Sequence, residues 1–365
     1  MTQAPAAPNG ALPNVDELAE QWQEEAARNL LRMRNFVQLM ANPDPPPLGI
    51  SPRQEIYRRR KARLYRYEGP RTYPTPLLFV PNLGISRPYI FDLMPGSSFV
   101  EHLAGEGFDF YLLDWGEFGP EDNDLSFDYC VTKILPRVVR KVLETSGAER
   151  LNLLGYCMGT PLSLSYLGME PDAPVDGFVD MAGPVDFSQI GLFGKWLDKR
   201  FFDADRFVDT LGGVPADAVR VGFKLLRPPS ELQTQLNLWW NLWNDNYVRG
   251  YKALTQWAND YKPFPREFFR QWVKDFYQDN KLISDELTLA GRPVRLRSVT
   301  CPVLAIGARE DNIAPAASVR PLVDAVGSAD TTYHELPGGH ISLVAGRTAY
   351  KDCWPTVSSW LAERS

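Results

Sequence analysis

The segment Leu151-Asn-Leu-Leu-Gly-Tyr-Cys-Met-Gly-Thr160 sets a cysteine between two glycines, Gly155-x-Cys157-x-Gly159, directly after an apolar run. Glycines at these two places let a chain turn sharply out of a strand into a helix, which lifts the side chain between them clear of the sheet. The run before the motif has strand character, and Pro161-Leu-Ser-Leu-Ser-Tyr166 after it is compatible with a helix. That context separates a nucleophile elbow from the competing reading, a buried structural cysteine flanked by small residues. In an elbow the backbone N–H of the next residue, here Met158, helps to hold an oxyanion.

An α/β-hydrolase orders its catalytic residues along the chain as nucleophile, acid and histidine. Downstream of Cys157, Cys301-Pro-Val-Leu-Ala-Ile-Gly307 reads as a buried strand and runs into Ala308-Arg-Glu-Asp-Asn-Ile-Ala-Pro315. Asp311 takes the loop position of the acid, with Glu310 as its rival. A last strand, Thr331-Thr-Tyr-His-Glu-Leu336, leads into Pro337-Gly-Gly-His340-Ile-Ser342. The chain has three histidines. His102 falls in a helical stretch as a surface or packing residue, and His334 falls inside the last strand. His340 alone has a glycine-rich loop around it, which makes it the expected base, oriented by Asp311.

Short apolar runs alternate with helical patterns on both sides of the elbow. Pro76-Leu-Leu-Phe-Val-Pro81, Phe108–Asp114 and Gly177–Met181 read as strands, and Ser126–Thr145 as a long amphipathic helix. Alternation of this kind predicts a mostly parallel central sheet covered on both faces, with core residues 48–183 and 296–365. Between them, residues 184–295 lose the alternation and hold six of the ten tryptophans (196, 239, 240, 243, 257, 272), as expected of an inserted aromatic-rich helical cap. Most of these aromatics are expected to be cap core; Trp239, Trp240 and Trp243 are candidates for an apolar channel or an interface. Residues 1–14 read as a disordered tail. Residues 15–47 read as an amphipathic helix followed by a Pro-rich linker, its stripe formed by Val15, Leu18, Trp22, Ala26, Leu30, Met33, Val37 and Met40. This helix either packs back on its own domain or docks a partner.

A net charge of −6 argues against nucleic acid, which selects a basic face. The short run Arg58-Arg-Arg-Lys61 is expected to be a solvated helix face. Four cysteines at 130, 157, 301 and 353 lack metal-type spacing, so neither a metal nor another cofactor is expected, and a reduced, cytoplasmic setting is the simplest reading. Met1–Pro13 lacks the basic start and apolar segment of a secretory signal. Leu151–Met169 is uncharged, but the elbow splits it, so no membrane span is expected there.

The stretch Arg87-Pro-Tyr-Ile-Phe-Asp-Leu-Met-Pro-Gly-Ser-Ser-Phe-Val100, with Gly107-Phe-Asp-Phe-Tyr-Leu-Leu-Asp-Trp-Gly116, resembles polyhydroxyalkanoate synthases. So do Cys157 in the elbow, Asp311-Asn-Ile-Ala-Pro, Gly338-Gly-His-Ile341 and the closing Trp354-Pro and Trp360-Leu. The length resembles that of the short catalytic subunits, classes III and IV. The resemblance implies acyl transfer from (R)-3-hydroxyacyl-CoA to a growing polyester through Cys157, His340 and Asp311, with CoA leaving as product. It also implies oxyanion donors at Met158 and near Leu83, a second smaller subunit, and a place at the surface of polyester granules; a homodimer is left open. One residue departs from the pattern: Thr160 stands where the family usually has a second glycine. The rival readings are a thioesterase or esterase of the same fold and a catalytically silent, granule-associated scaffold.

Overall fold

The computed structural model describes residues 15–226 and 230–365; the tail expected over residues 1–14 lies outside them. In chain order the main strands are β1 (Arg53–Arg59), β2 (Ala62–Tyr67), β3 (Leu77–Val80), β4 (Phe110–Asp114), β5 (Leu151–Tyr156), β6 (Val175–Met181), β7 (Val303–Ala308) and β8 (Thr331–Leu336). They form one eight-stranded sheet in the order β1-β2-β4-β3-β5-β6-β7-β8. β2 pairs antiparallel with β1 and β4, and every other neighbouring pair is parallel. β3 and β5 are buried at every position, as a central strand covered on both faces requires. Leu77 and Phe79 face one apolar core while Leu78 and Val80 face the other, because side chains alternate along a strand. Strand order reverses around β3, which opens a crevice at the carboxyl ends of β3 and β5.

The principal helices are α1 (Val15–Ala41), α2 (Phe99–Gly105), α3 (Leu135–Ser146), α4 (Gly159–Met169), α5 (Ser230–Asn241), α6 (Asp245–Asn259), α7 (Arg266–Gln271) and α8 (Trp354–Ala362). The helix expected over 126–145 is interrupted by a wide π turn at Cys130–Ile134 just ahead of Pro136, whose ring cannot donate to the helical ladder. The run Arg58–Lys61 is not a helix face. Arg58 and Arg59 end β1, and Arg60 and Lys61 make the hairpin turn to β2, where Arg60 takes a left-handed φ of 51°. Three of the run's charges are ion-paired: Arg58 with Glu55, Arg60 with Asp124, and Lys61 with Glu121 and Asp122.

Between β6 and β7 the chain is largely helical. Trp272 and Phe276 pack on Phe127, which precedes α3, with ring centroids 6.0 and 4.7 Å from it, and Phe187 packs on both at 5.2 and 5.3 Å. The tryptophans therefore divide: Trp272 is buried, while Trp239 and Trp240 are 48% and 62% exposed.

Among the described residues, 15–46 and 230–252 make up a second compact unit. Within it the amide of Asn35 on α1 is buried and donates to the Leu242 carbonyl at 2.7 Å and to Asp245 Oδ1 at 2.8 Å. Arg34 pairs with Asp245, Arg28 lies over the Trp243 ring, and Leu39 packs on Leu238, Leu242 and Val248. The stripe read from the sequence, including Trp22, Leu30, Met33, Val37 and Met40, is exposed, whereas Arg32 and Asn35 are buried. No helix among the described residues is long and apolar enough to cross a membrane.

Candidate active site

β5 ends at Tyr156 and α4 begins at Gly159, so only Cys157 and Met158 make the turn. Cys157 adopts φ 54°, a left-handed conformation that a residue with a β-carbon holds only under constraint from its surroundings. Both neighbouring glycines are sterically required. A β-carbon at Gly159 would fall 1.9 Å from the Val80 carbonyl oxygen, and one at Gly155 would fall 2.8 Å from the Thr160 Cα. Cys157 N–H donates to the Met181 carbonyl, and the Cys157 carbonyl accepts from Thr160 N–H, each at 3.0 Å. The thiol is half-buried and packs at the seam between the two cores. Met158 opens α4, where an N–H has no acceptor within its own helix. Leu83 is buried in the loop after β3, next to the Val80–Pro81 backbone on which Gly159 rests.

Asp311 follows β7, and its Oδ1 accepts from the N–H groups of Ile313 and Ala314 at 2.7 and 2.9 Å. Its Oδ2 meets His340 Nδ1 at 2.7 Å, both side chains being buried. The Tyr156 hydroxyl donates to the His340 carbonyl at 3.3 Å, and the two rings lie 4.9 Å apart, which braces the imidazole from the sheet side. Burial pulls the His340 pKa down. The charges of Asp311 and Cys157, with hydrogen bonds to both, outweigh it and hold the imidazole well above its ordinary value. Glu310, the rival acid, instead accepts from Gly338 N–H and so ties the histidine loop to β7. The fold brings the Cys157 thiol close to the buried His340–Asp311 pair.

The remaining histidines and cysteines lie elsewhere. His102 stacks on Trp354, and His334 is exposed on the edge strand β8. Burial pushes the thiols of Cys130 and Cys353 far up and that of Cys301 to about 11, which leaves them protonated and unreactive. Among the described residues no group of three or more His, Cys, Asp and Glu side chains could hold a metal ion. A cavity of about 250 Å³ lined by Arg150, Asp176 and Cys301 opens at the opposite end of the strands; another, of about 240 Å³, lies beside Tyr277. Sequence reasoning overlooked two neighbours of the thiol. Tyr277, from a π turn in the cap segment, feels the Cys157 charge. Asp180 lies buried under the elbow, and a carboxylate inside the otherwise apolar strand Gly177-Phe-Val-Asp-Met181 was the signal for it.

The profile of the α/β hydrolase fold family matches residues 76–346. Among solved structures, a putative lipase from Sulfolobus solfataricus superposes with a TM-score of 0.56 at 16% identity, covering 88% of this chain and 97% of that one, a likeness of fold. Poly(3-hydroxyalkanoate) polymerase subunit PhaC of Haloferax mediterranei is 36% identical over 87% of this chain, which spans 65% of that protein. The subunit of the same name from Allochromatium vinosum is 35% identical over 87% of this chain and 90% of its own length. With the elbow cysteine, the buried His340–Asp311 pair and this extent of shared sequence, the chain belongs to the PhaC family of enzymes on the α/β-hydrolase fold.

Proposed function

We propose that this chain polymerises (R)-3-hydroxyacyl units from their CoA thioesters into a polyester, with Cys157 as nucleophile, His340 as general base and acid, and Asp311 as its orienting carboxylate. The observation that carries this reading is a half-buried thiol on a strained elbow, close enough to His340 to raise its imidazole, with His340 Nδ1 2.7 Å from the Asp311 carboxylate. Cys157, having passed its proton to His340, attacks the thioester carbonyl. The resulting oxyanion is held by the N–H groups of Met158 and Leu83. Collapse forms the acyl-cysteine and expels CoA, which takes the proton from His340. His340 then removes the proton of a 3-hydroxyl, whose oxygen attacks the acyl-cysteine and returns the cysteine sulfur to its starting state. One thioester is exchanged for another in the first half, so the covalent intermediate stays reactive toward an alcohol.

In this reading residues 184–295 act as the cap of core residues 48–183 and 296–365, and their aromatic side chains keep out the water that would otherwise hydrolyse the intermediate. Residues 15–47 form an N-terminal element whose helix α1 shares a compact unit with residues 230–252 of that segment. A second, smaller synthase subunit completes the enzyme, which works at the surface of polyester granules. The test is CoA release from 3-hydroxybutyryl-CoA, with product sizing and Cys157→Ala as control. Polyester that disappears in the variant supports the reading. Free 3-hydroxybutyrate alone identifies a thioesterase, and full acyl transfer by Cys157→Ala refutes the assignment of the nucleophile.

A further inference from the structure

Asp180 is fully shielded from solvent and sits beside Gly155 of β5 and Ala305 of β7 in the sheet register. Its Oδ1 accepts from the Thr160 hydroxyl at 2.6 Å and from Gly183 N–H at 2.8 Å, while Oδ2 has no hydrogen-bond partner among the described residues. These bonds close a ring around the elbow. Thr160 N–H holds the Cys157 carbonyl, Cys157 N–H holds the Met181 carbonyl, and Met181 follows Asp180 in β6. The ring is fitted to its contents, since a β-carbon at Gly183 would fall 2.0 Å from the Thr160 Cβ. Cys157 at φ 54° and Ala182 at φ 49° flank it, two left-handed residues without the freedom of glycine. Such conformations persist where surrounding bonds over-determine them.

We propose that Asp180 is a positioning residue for the nucleophile: as a neutral carboxylic acid it accepts from Thr160 and Gly183 and thereby locks the elbow so that the Cys157 thiol meets His340. Two neutral donors on one oxygen, with the other oxygen bare and no cation bonded to either, are a poor setting for a full charge. Burial raises the carboxyl to about 8, against the opposing pull of the Thr160 and Gly183 hydrogen bonds and the His340 charge. The other titratable group facing it is Tyr333 on β8, whose hydroxyl is also buried without a partner; the register neighbours Gly155 and Ala305 carry no titratable side chain. Thr160 thus supplies a hydroxyl that a glycine at this position cannot. The inference rests on Cys157 being the nucleophile.

Four variants test it: Thr160→Val, Thr160→Ser, Asp180→Asn and Asp180→Leu. The readouts are the rate of Cys157 alkylation by iodoacetamide, kcat and KM for CoA release from 3-hydroxybutyryl-CoA, and thermal melting. Asparagine keeps the accepting oxygen and serine keeps the hydroxyl, so Asp180→Asn and Thr160→Ser retain alkylation and kcat within about threefold at pH 7. Thr160→Val and Asp180→Leu lose about 10- to 100-fold in both, with KM unchanged, because a slightly misplaced thiol slows reaction without altering binding. Folded Thr160→Val that alkylates at the wild-type rate, or Asp180→Asn that falls as far as Asp180→Leu, overturns the proposal. Should Asp180→Leu not fold, the valine–serine pair at 160 decides alone. Alkylation needs no acyl substrate, so wild-type protein that releases no CoA would count against the polymerase reading and leave this test standing.

Discussion

Replacing Asp311 with asparagine removes one charge and, through the geometry around it, the working tautomer of His340. The N–H groups of Ile313 and Ala314 both point at Oδ1, so the asparagine carbonyl has to stay there and its NH2 has to face His340 Nδ1. A donor facing that nitrogen forces the imidazole to carry its proton on Nε2, on the side of Cys157, where it can no longer take the proton of the thiol. Two unit charges at the 2.7 Å of this contact attract by roughly 6 kcal/mol at an effective dielectric of about 20. Half of that, left after desolvation, corresponds to about 10²-fold, and the wrong tautomer extends the loss toward about 10⁴-fold. The expected result is a fall of that size in kcat for CoA release, with KM within about threefold. Iodoacetamide alkylation of Cys157 should slow in parallel, because the support that raises His340 comes largely from Asp311. Melting temperature should change little, since both backbone N–H groups keep their acceptor. Retention of kcat within about threefold, or an equal loss in Glu310→Gln, would refute this assignment of the acid.

Three further outcomes are expected. Gly159→Ala places a β-carbon 1.9 Å from the Val80 carbonyl oxygen, which is backbone and cannot move aside; equilibrium denaturation should show a loss of about 3 kcal/mol or more, or no folded protein. Asp180 has a folded-state pKa of about 8 against a free value of 3.8, so between these values the native chain holds a proton that the unfolded chain has released. Stability must then fall as pH rises across that window and level off above it, by on the order of 5 kcal/mol in all; Asp180→Asn should lack the slope, and melting curves from pH 4 to 9 will show whether it does. Asn35→Ala leaves the Leu242 carbonyl without its side-chain donor inside the α1 unit. About 1–3 kcal/mol of local stability should be lost, visible as faster hydrogen exchange in residues 15–41 and 230–252 without a change in the sheet.

Catalytic candidates were legible where the local pattern is the constraint. The glycines around Cys157 mark a turn with no room for a side chain, and the two backbone oxygens waiting at Val80 and Pro81 supply the reason. Asp311 follows the buried strand β7 and His340 the edge strand β8, so their positions could be read from strand ends alone. Arg58–Lys61 was misread because a run of arginine and lysine suits a helix as well as a hairpin; the left-handed turn at Arg60 and pairing with β2 settle it. In α1 the apolar residues follow a helical period, but the face buried within its unit carries Asn35, because its amide finds partners at Leu242 and Asp245.

By itself the sequence determined the buried central strands on either side of the elbow, the sharp turn at residue 157, and the chain order of nucleophile, acid and histidine. These depend on neighbours a few residues apart, through side-chain period and the steric needs of glycine and proline. Only the tertiary structure decided that Asp311 rather than Glu310 meets His340, that Tyr156 braces the imidazole, and that Thr160 bonds across the sheet to Asp180. Those choices compare two groups one residue apart in sequence, or join groups twenty or more apart. They are made by the path of the backbone through a parallel sheet, which no local pattern encodes.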